Sequence, residues 1–148
     1  MSDTPVVNPV MPEVVKRLQD ALNEEKWTRA TLGAYTVNQI KELDALFQEA
    51  AREKAVDQAK ELCDDHLAHS KNSIGALYLS GIISLSRQQI DDSNLVSLIN
   101  IFADNRKWNI VEYVCNRILD YGENRNALVR LAECYENEDK PDDMYQVW

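Results

Sequence analysis

The chain has few residues that break or staple a fold. Its 148 residues include only four Gly and four Pro. Ala, Leu, Glu, Lys and Gln are plentiful instead, which is a helical composition. There are three cysteines, Cys63, Cys115 and Cys134, and none sits in a CxxC pair. An odd, scattered set excludes a disulfide framework and reads as free thiols in a reducing, cytoplasmic setting. The opening residues are not read as a signal peptide, and no apolar run is long enough to span a bilayer. The longest such stretch, "IGALYLSGIISL", has serine and glycine inside it. Positive charge is scarce as well. Sixteen Lys and Arg stand against 25 Asp and Glu, giving a net charge of −9 and a pI near 4.7. Such a chain repels phosphate backbones, so direct nucleic-acid binding is not expected. A basic protein surface is the better partner, and the charge also serves solubility.

Forty-five per cent of the residues are hydrophobic, enough for one domain with a core of its own. Residues 1–10, "MSDTPVVNPV", read as a flexible leader, and residues 11–148 as the domain. A first helix opens near Pro12, with Val14, Val15, Leu18 and Leu22 on one stripe. "KWTRATLGAY" interrupts the pattern. Thr36 then has Gln39 three residues on, the spacing of a capping box. Val37, Ile40, Leu43, Phe47 and Ala50 give the next helix its buried face. Further helices cover about 55–69, about 73–87, from Ser93, around Trp108 to Gly122, and through Leu128 to Tyr135. A last one opens at Pro141. No alternating strand pattern appears, so the expected class is all-α with about seven to eight helices. The stretch 73–87 is apolar almost all round and should be sandwiched between neighbours.

A shift of 33 residues places Leu95 on Leu128, Leu98 on Leu131, Ile99 on Ala132 and Phe102 on Tyr135. That period is close to that of a tetratricopeptide repeat, and "AVDQAKELCDDHL" resembles the second helix of such a unit. The expected architecture is an α-solenoid of tetratricopeptide-like (TPR-like) hairpins, with an irregular helical bundle as the alternative. The final segment, "PDDMYQVW", stops after two turns at Trp148, as expected of a fragment of a longer protein truncated in its last helix.

No residue set demands chemistry. "CDDHLAHS", residues 63–70, concentrates metal-binding types. On a helix, however, Cys63, His66 and Leu67 share the packing side with Ala59 and Leu62. Two ligands fall short of the four a structural zinc site needs. A metal enzyme built on Cys63, His66 and His69 is the weaker reading against helix packing. There is no glycine-rich phosphate loop, GxSxG or HExxH. No catalytic residue, metal or cofactor is therefore expected. Trp27 lies in the irregular link and is a candidate partner anchor, while Trp108 suits packing at a repeat position. In a TPR-like solenoid the first helix of each hairpin lines the concave face. That places Val96, Asn100 and Ala103 beside Asn126, Val129 and Glu133 in an amide-rich, mildly acidic groove. It holds none of the lysines and arginines by which chaperone-tail adaptors of that fold capture a carboxylate. A basic or neutral segment suits it better.

Three stretches, "LNEEKWTRATLGAYTVNQIKELD", "CDDHLAHSKNSIGALYLSGIISLS" and "DDSNLVSLINIFADNRKWNIVEYVCNRIL", resemble the N-terminal extension of unusually long bacterial GreA proteins. GreA belongs to the Gre family of transcription elongation factors. The resemblance implies a helical-repeat appendage and, as partner, RNA polymerase or an associated protein. The family's ordinary form has a coiled-coil hairpin whose acidic tip helps hold a metal ion in the polymerase, so that backtracked RNA is cleaved. This chain contains neither that hairpin nor the C-terminal globular domain, so no catalytic residue carries over. A generic TPR-like adaptor, binding a peptide and unrelated to transcription, is the alternative function.

Overall fold

The computed structural model describes residues 12–24, 29–89 and 93–137. Eight helices lie among them and no strand: α1 Glu13–Glu24, α2 Arg29–Ala34, α3 Val37–Arg52, α4 Val56–His69, α5 Ile74–Ser86, α6 Ser93–Asp104, α7 Trp108–Leu119 and α8 Arg125–Asn137. The expected leader, the expected anchor Trp27 and the expected helix at Pro141 lie outside the described residues. The additional helix is α2, inside a stretch that the sequence reads as an interruption. Its six residues are too short to show a period.

Local signals account for most boundaries. Val14, Val15, Leu18 and Leu22 of α1 are all buried, as their spacing requires. The Thr36 N–H donates to Gln39 Oε1 at 2.8 Å, which caps the start of α3 from within. Ser73 Oγ accepts from the Ala76 N–H at the start of α5. Three helices end in the same way. Lys54, Gln88 and Arg106 adopt φ of 57°, 59° and 57° after α3, α5 and α6. The next residue's N–H then reaches back to the third-last helical carbonyl: Ala55 to Ala50, Gln89 to Ser84, and Lys107 to Phe102. These are Schellman ends built without glycine. Gly122, with φ 135°, follows α7 in a position that favours glycine.

Helix ends recur at nearly constant intervals. α3, α5 and α7 finish at Arg52, Ser86 and Leu119, and α4, α6 and α8 at His69, Asp104 and Asn137. Successive ends within each set are 33 to 35 residues apart. Packing follows chain order from α4 through α8, each helix lying on the next. The links between them are short, so neighbours run antiparallel.

The centre is α5, whose eleven residues from Ile74 to Ser84 are buried on every side. α3, α4, α6 and α1 surround it. Such burial explains why the sequence there shows almost no polar face. Gly81 is the point of closest approach. A Cβ built there would stand 2.4 Å from Leu95 Cγ, so glycine lets α6 sit against α5. Leu98 and Leu131, at equivalent places in the 33-residue alignment, are both buried. α3 also meets α7, two helices beyond α5, so the array folds back on itself at this seam.

Candidate functional site: a groove between two helices

α6 and α8 both pack on α7 and stand apart from each other, leaving a groove of about 300 Å³. Val96, Ile99 and Asn100 line one wall, and Asn126, Val129 and Arg130 the other. Their placement follows from helix geometry, since residues three and four apart share a face. Val129 is 40% exposed, one of two large hydrophobic side chains left open among the described residues. Ile99, 3% exposed, forms an apolar floor.

Four of the sequence-expected lining residues, Val96, Asn100, Asn126 and Val129, thus meet in one groove. Glu133 stands at its edge, bound to Arg130 at 3.3 Å. Ala103 is buried in the core instead. Arg130 differs from the sequence expectation of a lining without cations. Its Nη2 donates to Asn100 Oδ1 at 2.6 Å, which draws the guanidinium across the groove. The residue sits one step off the assumed register, beside Val129. A one-step rotation of 100° was enough to hide it from sequence reasoning.

What the groove can do chemically follows from these groups. It offers an apolar strip flanked by side-chain amides, with one cation held by an amide oxygen and a carboxylate. That suits a short protein segment that buries an apolar residue and hydrogen-bonds along its backbone.

A second cleft, of about 140 Å³, lies between α1 and α4. Gln19, Leu22, Asn23, Leu62, Asp65, His66 and His69 line it. It therefore contains most of the metal-type side chains of "CDDHLAHS". Cys63 is fully buried on the packing side. Among the described residues no group of three or more such side chains is placed to hold a metal ion. Asp64, which a helical wheel directs away from packing, accepts from Ser80 Oγ at 2.6 Å and from Lys60 Nζ at 2.8 Å. Ser80 in turn accepts from Asn94 Nδ2 at 3.2 Å, so this small network joins α4, α5 and α6.

The densest polar cluster is structural, and sequence reasoning missed it. Asp44 on α3 accepts from Tyr78 on α5 at 2.6 Å, from Tyr113 on α7, and from Arg117 Nε at 3.2 Å. Burial first, and the Asp44 hydrogen bond second, raise both phenols above their ordinary value, Tyr113 to about 12. For Arg117, burial alone works against the charge. Its bonds to Asp120 and Asp44 outweigh that, and its pKa rises. The available signal was spacing: Asp44 and Tyr78 are 34 residues apart, and Asp44 and Tyr113 are 69, about one and two repeat lengths.

The three thiols are buried. Burial raises the Cys115 thiol to about 12, which keeps it protonated and inert. Trp108 packs half-buried against the core. No helix among the described residues is long and apolar enough to cross a membrane.

No protein-family profile matches the chain. No solved structure matches it either. Two curated proteins do. A protein of Treponema pallidum described as a GreA-associated domains protein is 54% identical over 117 residues, 79% of this chain and 18% of that protein. A transcription elongation factor GreA of Borreliella burgdorferi is 37% identical over 134 residues, 90% of this chain and 15% of that protein. The chain thus spans less than a fifth of the length of these relatives. With more than half its aligned residues shared with one and over a third with the other, the chain is a GreA-related extension.

Proposed function

We propose that the chain is a non-catalytic TPR-like α-solenoid that docks a protein segment in the α6–α8 groove on behalf of a bacterial transcription elongation factor. RNA polymerase or a polymerase-associated protein is the partner, and the cytoplasm is the compartment. Within the longer protein the extension helps bring the factor to backtracked or arrested complexes, while transcript cleavage is assisted from elsewhere. The observation that carries this reading is an apolar, amide-edged groove with Val129 open at its centre, in a chain whose relatives are named for GreA.

Two features support the reading. Helix ends recurring every 33 to 35 residues suit stacked hairpins of the tetratricopeptide type. The groove's one charged lining side chain, Arg130, is already engaged by Asn100 and Glu133, an arrangement suited to recognition rather than to proton transfer.

The test is retention of polymerase from purified core enzyme on the immobilised chain, compared with Val129→Glu. Placing a carboxylate in the apolar strip should weaken retention at least about tenfold, since it desolvates an unpaired charge on binding. Equal retention by both proteins, or none by the parent, defeats the reading. Capture of an unrelated peptide with polymerase ignored would instead favour the generic adaptor.

A further inference from the structure

The cleft between α1 and α4 shares no residue with the α6–α8 groove. Residues 19, 22 and 23 of α1 line one wall and residues 62, 65, 66 and 69 of α4 the other, each set on one helical face. Leu22 is buried and Leu62 half-buried, so the floor is apolar. At about 140 Å³ the cleft is smaller than most small-molecule sites and has room for one long side chain.

The polar groups of this lining are uncommitted. Elsewhere charged side chains are tied within the fold: Arg17 to Glu49, Lys60 to Asp64, Arg87 to Asp57, and Arg130 to Asn100 and Glu133. Among the described residues, no hydrogen bond or ion pair engages the side chains of Gln19, Asn23, Asp65, His66 or His69. All five carry an acceptor, whether carboxylate, amide oxygen or imidazole nitrogen. The charge around them has one sign. Residues 18–24 and 61–70 hold five carboxylates and no lysine or arginine. Lys60 neutralises Asp64 alone, and Asp20, Glu24, Glu61 and Asp65 stand exposed. Both helices also bring their C-terminal halves to the cleft, where their dipoles add partial negative charge.

From these features we propose that the α1–α4 cleft is a second docking site, selective for an arginine-bearing segment of a protein partner. The guanidinium enters between the helices and donates to Asp65 and to the amide oxygens of the facing wall. Its aliphatic stem covers Leu22 and Leu62. Arginine suits the cleft better than lysine, because its five donors in a fixed plane can serve acceptors on both walls at once. The α6–α8 groove carries a cation, Arg130, in its own lining, so the two sites select different segments. The proposal stands whether or not that groove binds polymerase.

Amide NMR of the intact chain tests the proposal, with the acetylated and amidated pentapeptide Gly-Leu-Arg-Leu-Gly as probe. Saturable shifts should appear at the amides of Leu22, Asn23, Asp65, His66 and His69. The same peptide with citrulline for arginine keeps the shape without the charge, and should bind at least about tenfold more weakly. Asp65→Asn should weaken the arginine peptide about fivefold with helicity unchanged, and Asp65→Arg should abolish its binding. Val129→Glu, in the other groove, should leave the affinity unaltered. The proposal is overturned if no saturable shift appears, or if the shifts fall on the α6–α8 groove. Equal binding of the citrulline peptide, an unchanged affinity in Asp65→Asn, or shifts that follow protein concentration instead of peptide also overturn it.

Discussion

Replacing Asp44 by alanine should cost about 3 kcal/mol, and the figure can be built from the contacts it removes. Asp44 is 13% exposed and Arg117 18%, so water screens their interaction poorly. The Tyr78 hydroxyl is fully buried and donates to Asp44. Without that acceptor it becomes an unsatisfied buried donor, a loss of about 1–3 kcal/mol. Tyr113 is only half-buried and can turn to water, so it adds little. Arg117 keeps Asp120 at 2.9 Å, which limits its share to well below that of an orphaned buried charge. Urea denaturation followed by circular dichroism measures the sum. At a slope of about 2 kcal/mol per molar, the midpoint should fall by about 1.5 M with the slope unchanged. Tyr78→Phe alone should cost less, since Asp44 retains two donors. The double variant should show a coupling of about 1 kcal/mol with Asp44→Ala. A loss under about 0.5 kcal/mol for Asp44→Ala would place it among ordinary surface substitutions and refute the idea that it ties α3 to α7.

Two further outcomes follow from the same packing. Gly81→Ala forces a methyl into Leu95, itself fully buried, and should cost about 1–3 kcal/mol. An unchanged melting temperature would show that α5 and α6 are less closely apposed. The phenols predict the alkaline limit of stability. Tyr78 and Tyr113 are raised in the folded state above the ordinary value near 10. The stability they contribute is therefore complete below about pH 10 and is lost as pH rises through their folded-state values, about 12 for Tyr113 and higher for Tyr78. Absorbance titration at 295 nm, compared with Tyr78→Phe and Tyr113→Phe, should show both phenols ionising late, and Asp44→Asn should bring the Tyr113 midpoint down toward 10. Ordinary midpoints for these two phenols would contradict the Asp44 cluster.

How much of this was legible depended on the kind of interaction. Long amphipathic helices announce themselves because one face must leave water, so Val14 to Leu22 and Ile40 to Ala50 could be placed from spacing alone. Thr36 and Gln39 could be paired because a capping box acts over three residues. α2 could not, since six residues do not complete two turns. The groove was found in outline through Val96, Asn100, Asn126 and Val129, because equivalent repeat positions face the same way. Arg130 was missed because a long side chain reaches across from the neighbouring helical position.

The order of the amino acids thus decided the all-helical class, most helix boundaries, and the central place of the uniformly apolar α5. These depend on backbone hydrogen bonds and on the periodic burial of nearby residues, both of which act over one or two turns. Only the tertiary structure decided that α3 closes onto α7, that Asp44 gathers Tyr78, Tyr113 and Arg117, and that α6 and α8 stand apart around an open valine. Those arrangements depend on how far whole helices approach one another. That distance is set by many side-chain volumes at once, Gly81 against Leu95 among them, and no local pattern encodes it.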